Sequence, residues 1–143
     1  MSKEILLIDD DLYCMQPTVD FLTLKGFAVQ TARDVPRARE AIRNTKFDAI
    51  IADCFMPTGD KDLAPELAGL RLVEDIRSGS HAVGNANRRT PILVMTAGSN
   101  REILSRLRCM DVQAVIQKPF LSSELVEMLC SLLPTERDST LNR

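Results

Sequence analysis

The stretch Ile5-Leu6-Leu7-Ile8-Asp9-Asp10-Asp11 is the clearest indication of the fold, because four apolar residues in a row are followed directly by three acids. A continuous apolar run indicates a strand covered on both faces, as in a parallel sheet between two layers of helices. Ala49-Ile50-Ile51-Ala52-Asp53 and Ile92-Leu93-Val94-Met95-Thr96 repeat this pattern. Residues 27–31 and 114–117 are weaker versions. The chain therefore contains five candidate strands.

Segments with helical spacing lie between these apolar runs. Asp34 can cap a helix that extends to about Asn44, with Pro36 in its first turn, where proline is tolerated. Ser122 can cap the last helix, and Pro134 stops it. Strands that alternate with helices predict an α/β fold with an open, doubly wound parallel sheet.

The first helix leaves two alternatives open. A helix from Leu12 to Lys25 would end well at Gly26, a favoured residue for helix termination. Pro17, however, lies several residues inside it. Either the helix begins near Met15, or it is bent at the proline.

Length and composition bound the class of protein. The chain has 143 residues, with 18 Lys+Arg against 20 Asp+Glu and a formal net charge of −2. This fits one domain, expected at residues 1–134, followed by a flexible polar tail at 135–143. The balance of charge argues against direct nucleic-acid binding. No apolar run approaches the ~20 residues that span a bilayer, and no secretory signal opens the chain, so we expect a cytoplasmic protein without a membrane partner.

The cysteines and the single histidine do not form a metal or redox motif. Cys14, Cys54, Cys109 and Cys130 are scattered without Cys-x-x-Cys spacing, and their apolar neighbours predict buried, reduced thiols. His81 lies among loop-forming residues and is interpreted as a surface residue.

The acids that follow the apolar runs are the candidate chemistry. If the strand order is 2-1-3-4-5, Asp9 and Asp10 meet Asp53 where the winding of the sheet reverses. Two carboxylates at ~4 Å repel by about 4 kcal/mol at an effective dielectric of 20, so the cluster must be partly protonated, paired with a cation or bound to a metal. Lys118 supplies one positive charge, and the hard oxygen ligands favour Mg²⁺ over zinc or copper for the rest. With Thr96 as a hydrogen-bond donor, such a pocket suits a phosphoryl acceptor.

These residues resemble the receiver domains of the response-regulator family in two-component signalling. Four motifs carry the resemblance, in order at the ends of strands one, three, four and five, and the likeness runs from residue 4 to about 133. The motifs are Ile5-Leu6-Leu7-Ile8-Asp9-Asp10-Asp11, Asp53-Cys54-Phe55-Met56-Pro57, Val94-Met95-Thr96-Ala97 and Lys118-Pro119-Phe120. The resemblance implies a flavodoxin-like (βα)5 fold with strand order 2-1-3-4-5.

The resemblance also implies roles for the site residues. Mg²⁺ would be bound by Asp10 directly, by Asp9 through water, by Asp53 and by the backbone carbonyl of Phe55. Asp53 would accept a phosphoryl group from a phosphohistidine on a sensor histidine kinase or phosphotransfer protein.

In the same family pattern, Lys118 would pair with the phosphoryl oxygens, and Thr96 would move toward them. The bond between Lys118 and Pro119 is expected to be cis. The signal would reach the face formed by helix four, strand five and helix five, through which receivers often form homodimers. The chain would act as a signalling module rather than an enzyme.

Two features depart from the family pattern. Val115 stands where an aromatic residue usually changes rotamer, so either backbone shifts carry the signal, or coupling is weak, or Val115 is simply a good strand residue. Residues 58–68 separate Pro57 from Gly69 and form an insert. The insert could contact a partner, shield the acyl phosphate, alter Mg²⁺ access or be a tolerated surface insertion.

Three functions compete. The leading hypothesis is a single-domain response regulator that signals to an unidentified downstream protein. The first alternative is a degenerate receiver that binds partners regardless of phosphorylation. The second is an aspartate-nucleophile phosphatase that uses Asp9 and Asp11, although this would leave Asp53 unexplained.

Overall fold

The computed structural model describes residues 2–54, 65–97 and 101–133. Phe55, most of the insert and the tail lie outside the described residues. Strands and helices alternate along the chain as the sequence predicts. The elements are β1 (Glu4–Ile8), α1 (Leu12–Leu24), β2 (Ala28–Ala32), α2 (Val35–Asn44), β3 (Ala49–Asp53), α3 (Pro65–Ser78), β4 (Ile92–Thr96), α4 (Arg101–Cys109), β5 (Ala114–Gln117) and α5 (Ser122–Leu132).

The five strands form one parallel sheet in the order β2-β1-β3-β4-β5, which confirms the predicted topology. β1 and β3 are neighbours at the centre, with Leu6 opposite Ile50 and Ile8 opposite Ala52. β2 lies beside β1 on one side, and β4 lies beside β3 on the other. The winding direction therefore reverses between β1 and β3, and their carboxyl ends share one edge.

Both faces of the sheet are covered, which explains the continuous apolar runs. Ile5 and Leu7 belong to a buried cluster with residues of α1 and α5. Leu6 and Ile8 belong to a second buried cluster with residues of α2, α3 and α4. Because successive strand side chains point to opposite faces, each residue of the run finds a helix layer above or below it.

Local capping sets the helix bounds. The Asp34 carboxylate accepts a hydrogen bond from the backbone N–H of Arg37, so α2 begins as predicted. α1 begins at Leu12 and passes through Pro17, which excludes a start near Met15. The helix ends before Gly26, whose φ of 96° only glycine adopts readily.

Ser122 is not the cap of the last helix. It is the first residue of α5, and the side chain of Glu124 instead accepts a bond from the backbone N–H of Leu121 at 3.4 Å. The Ser122 hydroxyl pairs with the Thr18 hydroxyl at 3.0 Å, which ties α5 to α1. Ser122 thus bonds to a residue distant in sequence, although the local sequence predicts that it caps the helix.

The prediction of buried cysteines is correct for Cys54 and wrong for the other three. Cys14, Cys109 and Cys130 are exposed, and all four thiols are free. The exposed cysteines lie on helices, where residues adjacent in sequence point in different directions. Apolar sequence neighbours therefore do not predict that a helical side chain is buried.

His81 is exposed in the loop between α3 and β4, as predicted. Within the described ranges, none of the helices has the length and apolarity that crossing a bilayer requires.

Candidate functional site

The candidate site lies at the carboxyl edge of the sheet, where the topology gathers the predicted residues. Asp9 follows β1, Asp53 ends β3, Thr96 ends β4 and Lys118 follows β5. Asp9 and Asp53 are almost completely buried, with 0% and 3% of their surfaces exposed, and Thr96 is also buried. We call Asp9, Asp10, Asp53, Thr96 and Lys118 the acidic pocket.

Lys118 bridges the two buried carboxylates. Its Nζ donates hydrogen bonds to Asp9 Oδ2 at 2.9 Å and to Asp53 Oδ2 at 3.0 Å. Burial of the ammonium group opposes its charge, but the hydrogen bonds and negative charges of Asp9 and Asp53 outweigh that effect and raise the pKa of Lys118. The lysine is therefore a fixed positive charge between the ends of β1 and β3.

Asp10 brings a third carboxylate to this place. One oxygen each of Asp9, Asp10 and Asp53 lies within 4.8 Å of the others. Partial burial, a hydrogen bond with Asp9 and the Asp9 charge together raise the pKa of Asp10. One lysine cannot neutralise three carboxylates, and the donor set of hard oxygens without imidazole or thiolate fits a divalent cation such as Mg²⁺.

The third acid of the triplet has a different role. The Asp11 carboxylate accepts a hydrogen bond from the backbone N–H of Cys14 at 3.1 Å and caps α1, and bonds from Cys14 lower the pKa of Asp11. The backbone N–H of Asp11 in turn donates to Asp9 Oδ1 at 2.9 Å. Capping of α1 and orientation of the Asp9 carboxylate are thus coupled through one residue.

Backbone contacts fix the other two residues of the pocket. The N–H of Lys118 donates to the carbonyl of Thr96 at 2.7 Å, which joins the ends of β5 and β4. The bond between Lys118 and Pro119 is cis, as expected from the resemblance. Phe55, the predicted carbonyl ligand, lies outside the described residues.

Sequence reasoning missed the contact that holds the end of β3 in place. Gly69, in the second turn of α3, donates its N–H to the Cys54 carbonyl at 3.2 Å. A Cβ atom at Gly69 would lie 2.6 Å from Cys54 Cα and 2.7 Å from the Asp53 carbonyl oxygen. The only sequence signal is a glycine inside a helical pattern, which often marks close backbone approach.

Asp10→Asn is expected to stabilise the protein at neutral pH in metal-free buffer. The raised pKa of Asp10 means that its ionised form destabilises the folded state, so this penalty appears as pH rises above the ordinary value of 3.8. The gain should be on the order of 0.5 kcal/mol, because the exposed side chain is screened by solvent. Urea unfolding with EDTA at several pH values measures it.

The gain should shrink as pH falls toward 3.8 and vanish well below it, where Asp10 is protonated in both the folded and the unfolded protein. Glu127→Gln, which removes an exposed charge on α5, is the matched control and should change stability little. Equal gains from both variants would show that net charge, rather than repulsion in the pocket, is responsible.

Cys54 is expected to resist alkylation in the folded protein. Burial, and then the neighbouring Asp53 charge, raise its pKa to about 11, so little thiolate is present at pH 8. Iodoacetamide labelling followed by mass spectrometry should modify Cys14, Cys109 and Cys130 first, and Cys54 only after denaturant is added. Native labelling of Cys54 at the rate of the exposed thiols would contradict this packing.

Comparison with known proteins supplies the family. The family model of the response regulator receiver domain matches residues 5–130. The chain belongs to the receiver domain family. The match spans both central strands, the acidic pocket and most of α5. Receiver domains are signalling modules of two-component systems.

Similar proteins agree with this placement. The chain is 30% identical over 135 residues to the response regulator MprA of Mycobacterium sp. strain KMS, covering 93% of this receiver and 51% of that protein. The receiver thus spans about half the length of the curated relatives it matches.

Solved structures show the same fold. The chemotaxis response regulator CheY4 of Vibrio cholerae superposes with a TM-score of 0.77 at 25% identity, covering 93% of this chain and all of that one. The receiver domain of the sensor histidine kinase PA1611 from Pseudomonas aeruginosa, solved with a magnesium ion in its active site cleft, gives a TM-score of 0.76 at 24% identity. That comparison covers 94% of this chain and 100% of that chain.

Proposed function

We propose that this protein is a single-domain response regulator of the cytoplasm. Asp53 accepts a phosphoryl group from a sensor histidine kinase or phosphotransfer protein, and the signal passes on by protein–protein binding. We assign residues 1–134 to the receiver domain and the polar residues 135–143 to a tail that follows it. The observation that carries the proposal is the bridge from Lys118 Nζ to Asp53 and Asp9 at 3.0 and 2.9 Å.

Each residue of the acidic pocket has a role in phosphoryl transfer. A carboxylate oxygen of Asp53 forms the new bond to phosphorus, while the bond from phosphorus to the donor's histidine nitrogen breaks and its electron pair leaves with the nitrogen. Lys118 already lies at hydrogen-bond distance from Asp53, so its positive charge is next to the carboxylate that takes up the phosphoryl group and can stabilise the phosphoryl oxygens. The hydroxyl of Thr96, at the end of the next strand, donates a further hydrogen bond to them.

Mg²⁺ is the cofactor that the donor set fits. Asp9, Asp10 and Asp53 would hold it together with the backbone carbonyl of Phe55. When bound, the ion neutralises charge on the phosphoryl group. Two buried carboxylates and a third with a raised pKa support this assignment, because a divalent cation relieves their repulsion.

Exposed apolar side chains beside the pocket suit a protein donor. Tyr13, in the first turn of α1, is 91% exposed, and Leu121, directly before α5, is 65% exposed. The bond between the hydroxyls of Thr18 and Ser122 holds their helices together. A kinase or phosphotransfer protein that covers Tyr13 and Leu121 would bring its phosphohistidine to the acidic pocket.

The output surface is the face formed by α4, β5 and α5. The bond from the Lys118 N–H to the Thr96 carbonyl joins the strand end nearest the phosphoryl group to the end of β5. A movement of Thr96 would therefore reach this face through the backbone. A downstream protein or a second copy of the chain, forming a homodimer, would bind there.

Acceptor chemistry is tested with a small-molecule donor, which removes any need for the kinase. The protein is incubated with acetyl phosphate and Mg²⁺, and its intact mass is measured. A mass increase of one phosphoryl group that is absent when EDTA is present supports the proposal. No gain under either condition counts against it.

The second candidate function is a degenerate receiver that binds its partner regardless of phosphorylation. The observation that favours it is Val115, which packs against a core cluster that also contacts Ile103 of α4. Valine lacks the aromatic ring whose rotation reports phosphorylation in the family. Addition of beryllofluoride, a phosphoryl mimic, distinguishes the two: amide shifts in α4 and α5 support a responsive receiver, and shifts confined to the acidic pocket support the degenerate one.

The capping role of Asp11 argues against a phosphatase. An aspartate-nucleophile phosphatase would use Asp9 and Asp11 as its catalytic pair. The Asp11 carboxylate is instead bonded to the backbone N–H of Cys14, whereas Asp53 shares a lysine with Asp9. This arrangement supports Asp53 as the acceptor.

A further inference from the structure

A cavity of about 740 Å³ lies at the opposite edge of the sheet from the acidic pocket. The end of α3, the loop that leads into β4 and the end of α4 form its walls. Because these segments precede the amino ends of β4 and β5, a molecule bound here would leave Asp53 accessible. The charged residues that line it are Glu74, Arg77, Arg88, Arg89, Arg106 and Asp111.

Hydrogen bonds of the Arg77 side chain hold one wall of this cavity in place. Arg77 donates to the carbonyls of Arg88 at 2.9 Å, Thr90 at 2.8 Å and Asp111 at 3.0 Å, and to Gln113 Oε1 at 2.9 Å. Arg88 Nε returns a bond to the Arg77 carbonyl at 3.1 Å. Arg77 therefore joins α3 to the loop before β4 and to the loop before β5, and its role is structural.

Two further arginines do not use their side chains to hold the described part of the fold together. Arg89 and Arg106 are exposed and line the cavity, and among the contacts of the described residues the side chain of neither makes a hydrogen bond or an ion pair. Four arginines thus face two acids, Glu74 and Asp111, in a protein whose net charge is −2. The cavity is a local concentration of positive charge on a weakly acidic molecule.

The lining selects among anionic ligands. Guanidinium groups bind carboxylates and phosphates alike in a two-point geometry. Among the described residues that line the cavity, none has an aromatic side chain on which a nucleobase could stack, which disfavours nucleotides and nucleic acids. Met110 adds a flexible apolar contact that suits a peptide.

We propose that this cavity binds an acidic peptide segment of a partner protein, with Arg89 and Arg106 as its principal contacts. The proposal goes beyond the phosphoryl-acceptor function and does not depend on it. Hexaglutamate is the probe, and two measurements follow its binding to the full chain. Amide shifts locate the site, and iodoacetamide labelling reports Cys109, which lines the cavity, against Cys130 on α5, which does not.

Hexaglutamate is expected to shift amides around Arg88, Arg89 and Ser105–Asp111, and to slow labelling of Cys109 but not of Cys130. The double variant Arg89→Ala/Arg106→Ala should weaken this binding roughly tenfold or more. Arg43→Ala removes an exposed arginine on α2 and should leave it unchanged. Asp53→Asn should also bind normally, which separates this site from the proposed function.

Three results would overturn the proposal. Hexaglutamate could fail to shift the cavity amides, or Arg43→Ala could weaken binding as much as the double variant does. Alternatively, inorganic pyrophosphate or oligothymidylate could occupy the cavity under conditions where hexaglutamate does not, which would assign it to phosphate groups.

Discussion

Asp53→Asn is expected to abolish the mass gain that acetyl phosphate and Mg²⁺ produce in the wild-type protein. Asparagine keeps the size of the side chain but replaces the carboxylate nucleophile with an amide, which does not form an acyl phosphate under these conditions. The amide can still accept a hydrogen bond from Lys118, so the fold should persist. Intact-mass spectrometry measures the loss, and thermal unfolding checks the fold.

Asp20→Asn is the matched control for this result. Asp20 is an exposed carboxylate on α1 that accepts a bond from Gln16 Nε2 at 2.9 Å, away from the pocket. Its replacement should leave the mass gain unchanged. An equal gain in Asp53→Asn and wild type would show that another residue is the acceptor.

Gly69→Ala is expected to destabilise the protein by about 1–3 kcal/mol, the usual cost of overpacking. In an ordinary helix this change would stabilise by roughly 1 kcal/mol, because alanine is the better helix former. Here the new Cβ would lie 2.6 Å from Cys54 Cα, and the backbone on which it presses carries Asp53. Phosphorylation by acetyl phosphate should slow as the carboxylate is displaced from Lys118.

Urea unfolding and the rate of mass gain test this pair of effects. Arg71→Ala, at an exposed position on the same helix, should be nearly neutral in both measurements. If Gly69→Ala is more stable than the wild type, the close contact between α3 and the end of β3 is wrong.

The fold was predictable because its signals are local and repeated. The run Ile5–Ile8 is apolar at every position, and only a two-sided environment explains that pattern. Asp34 and Gly26 mark a helix start and a helix end by rules that need no tertiary information. The strand order came from the family resemblance rather than from these local rules.

Contacts between segments that are distant in sequence could not be predicted from such local signals. The residues around His81 predict only a loop before β4, yet the side chain of Asn87 in that loop is buried. Its Oδ1 accepts from the Phe47 N–H at 2.8 Å, and its Nδ2 donates to the carbonyls of Ile42 at 2.9 Å and Thr45 at 2.7 Å. An asparagine in a loop can form several kinds of local hydrogen bond, and its sequence neighbours do not indicate which distant groups it will bond to.

More of the candidate site could be predicted than of these long-range contacts, because the carboxyl ends of the strands converge at one edge of the sheet. Asp9, Asp53 and Lys118 each lie at the end of a strand, and the strand order alone brings them to one edge of the sheet. The capping role of Asp11 and the packing of Gly69 were not predicted. Each depends on a helix start or a close approach that only the folded backbone defines.

Locating the phosphoryl group at residue level is the sharpest test of Asp53 as the phosphoryl acceptor. The protein is treated with acetyl phosphate and Mg²⁺, and borohydride then reduces the acyl phosphate to an alcohol that survives digestion and peptide mapping. We expect homoserine at position 53 and unmodified aspartate at Asp9, Asp10 and Asp11. Reduction at any of these three, with Asp53 intact, would contradict it.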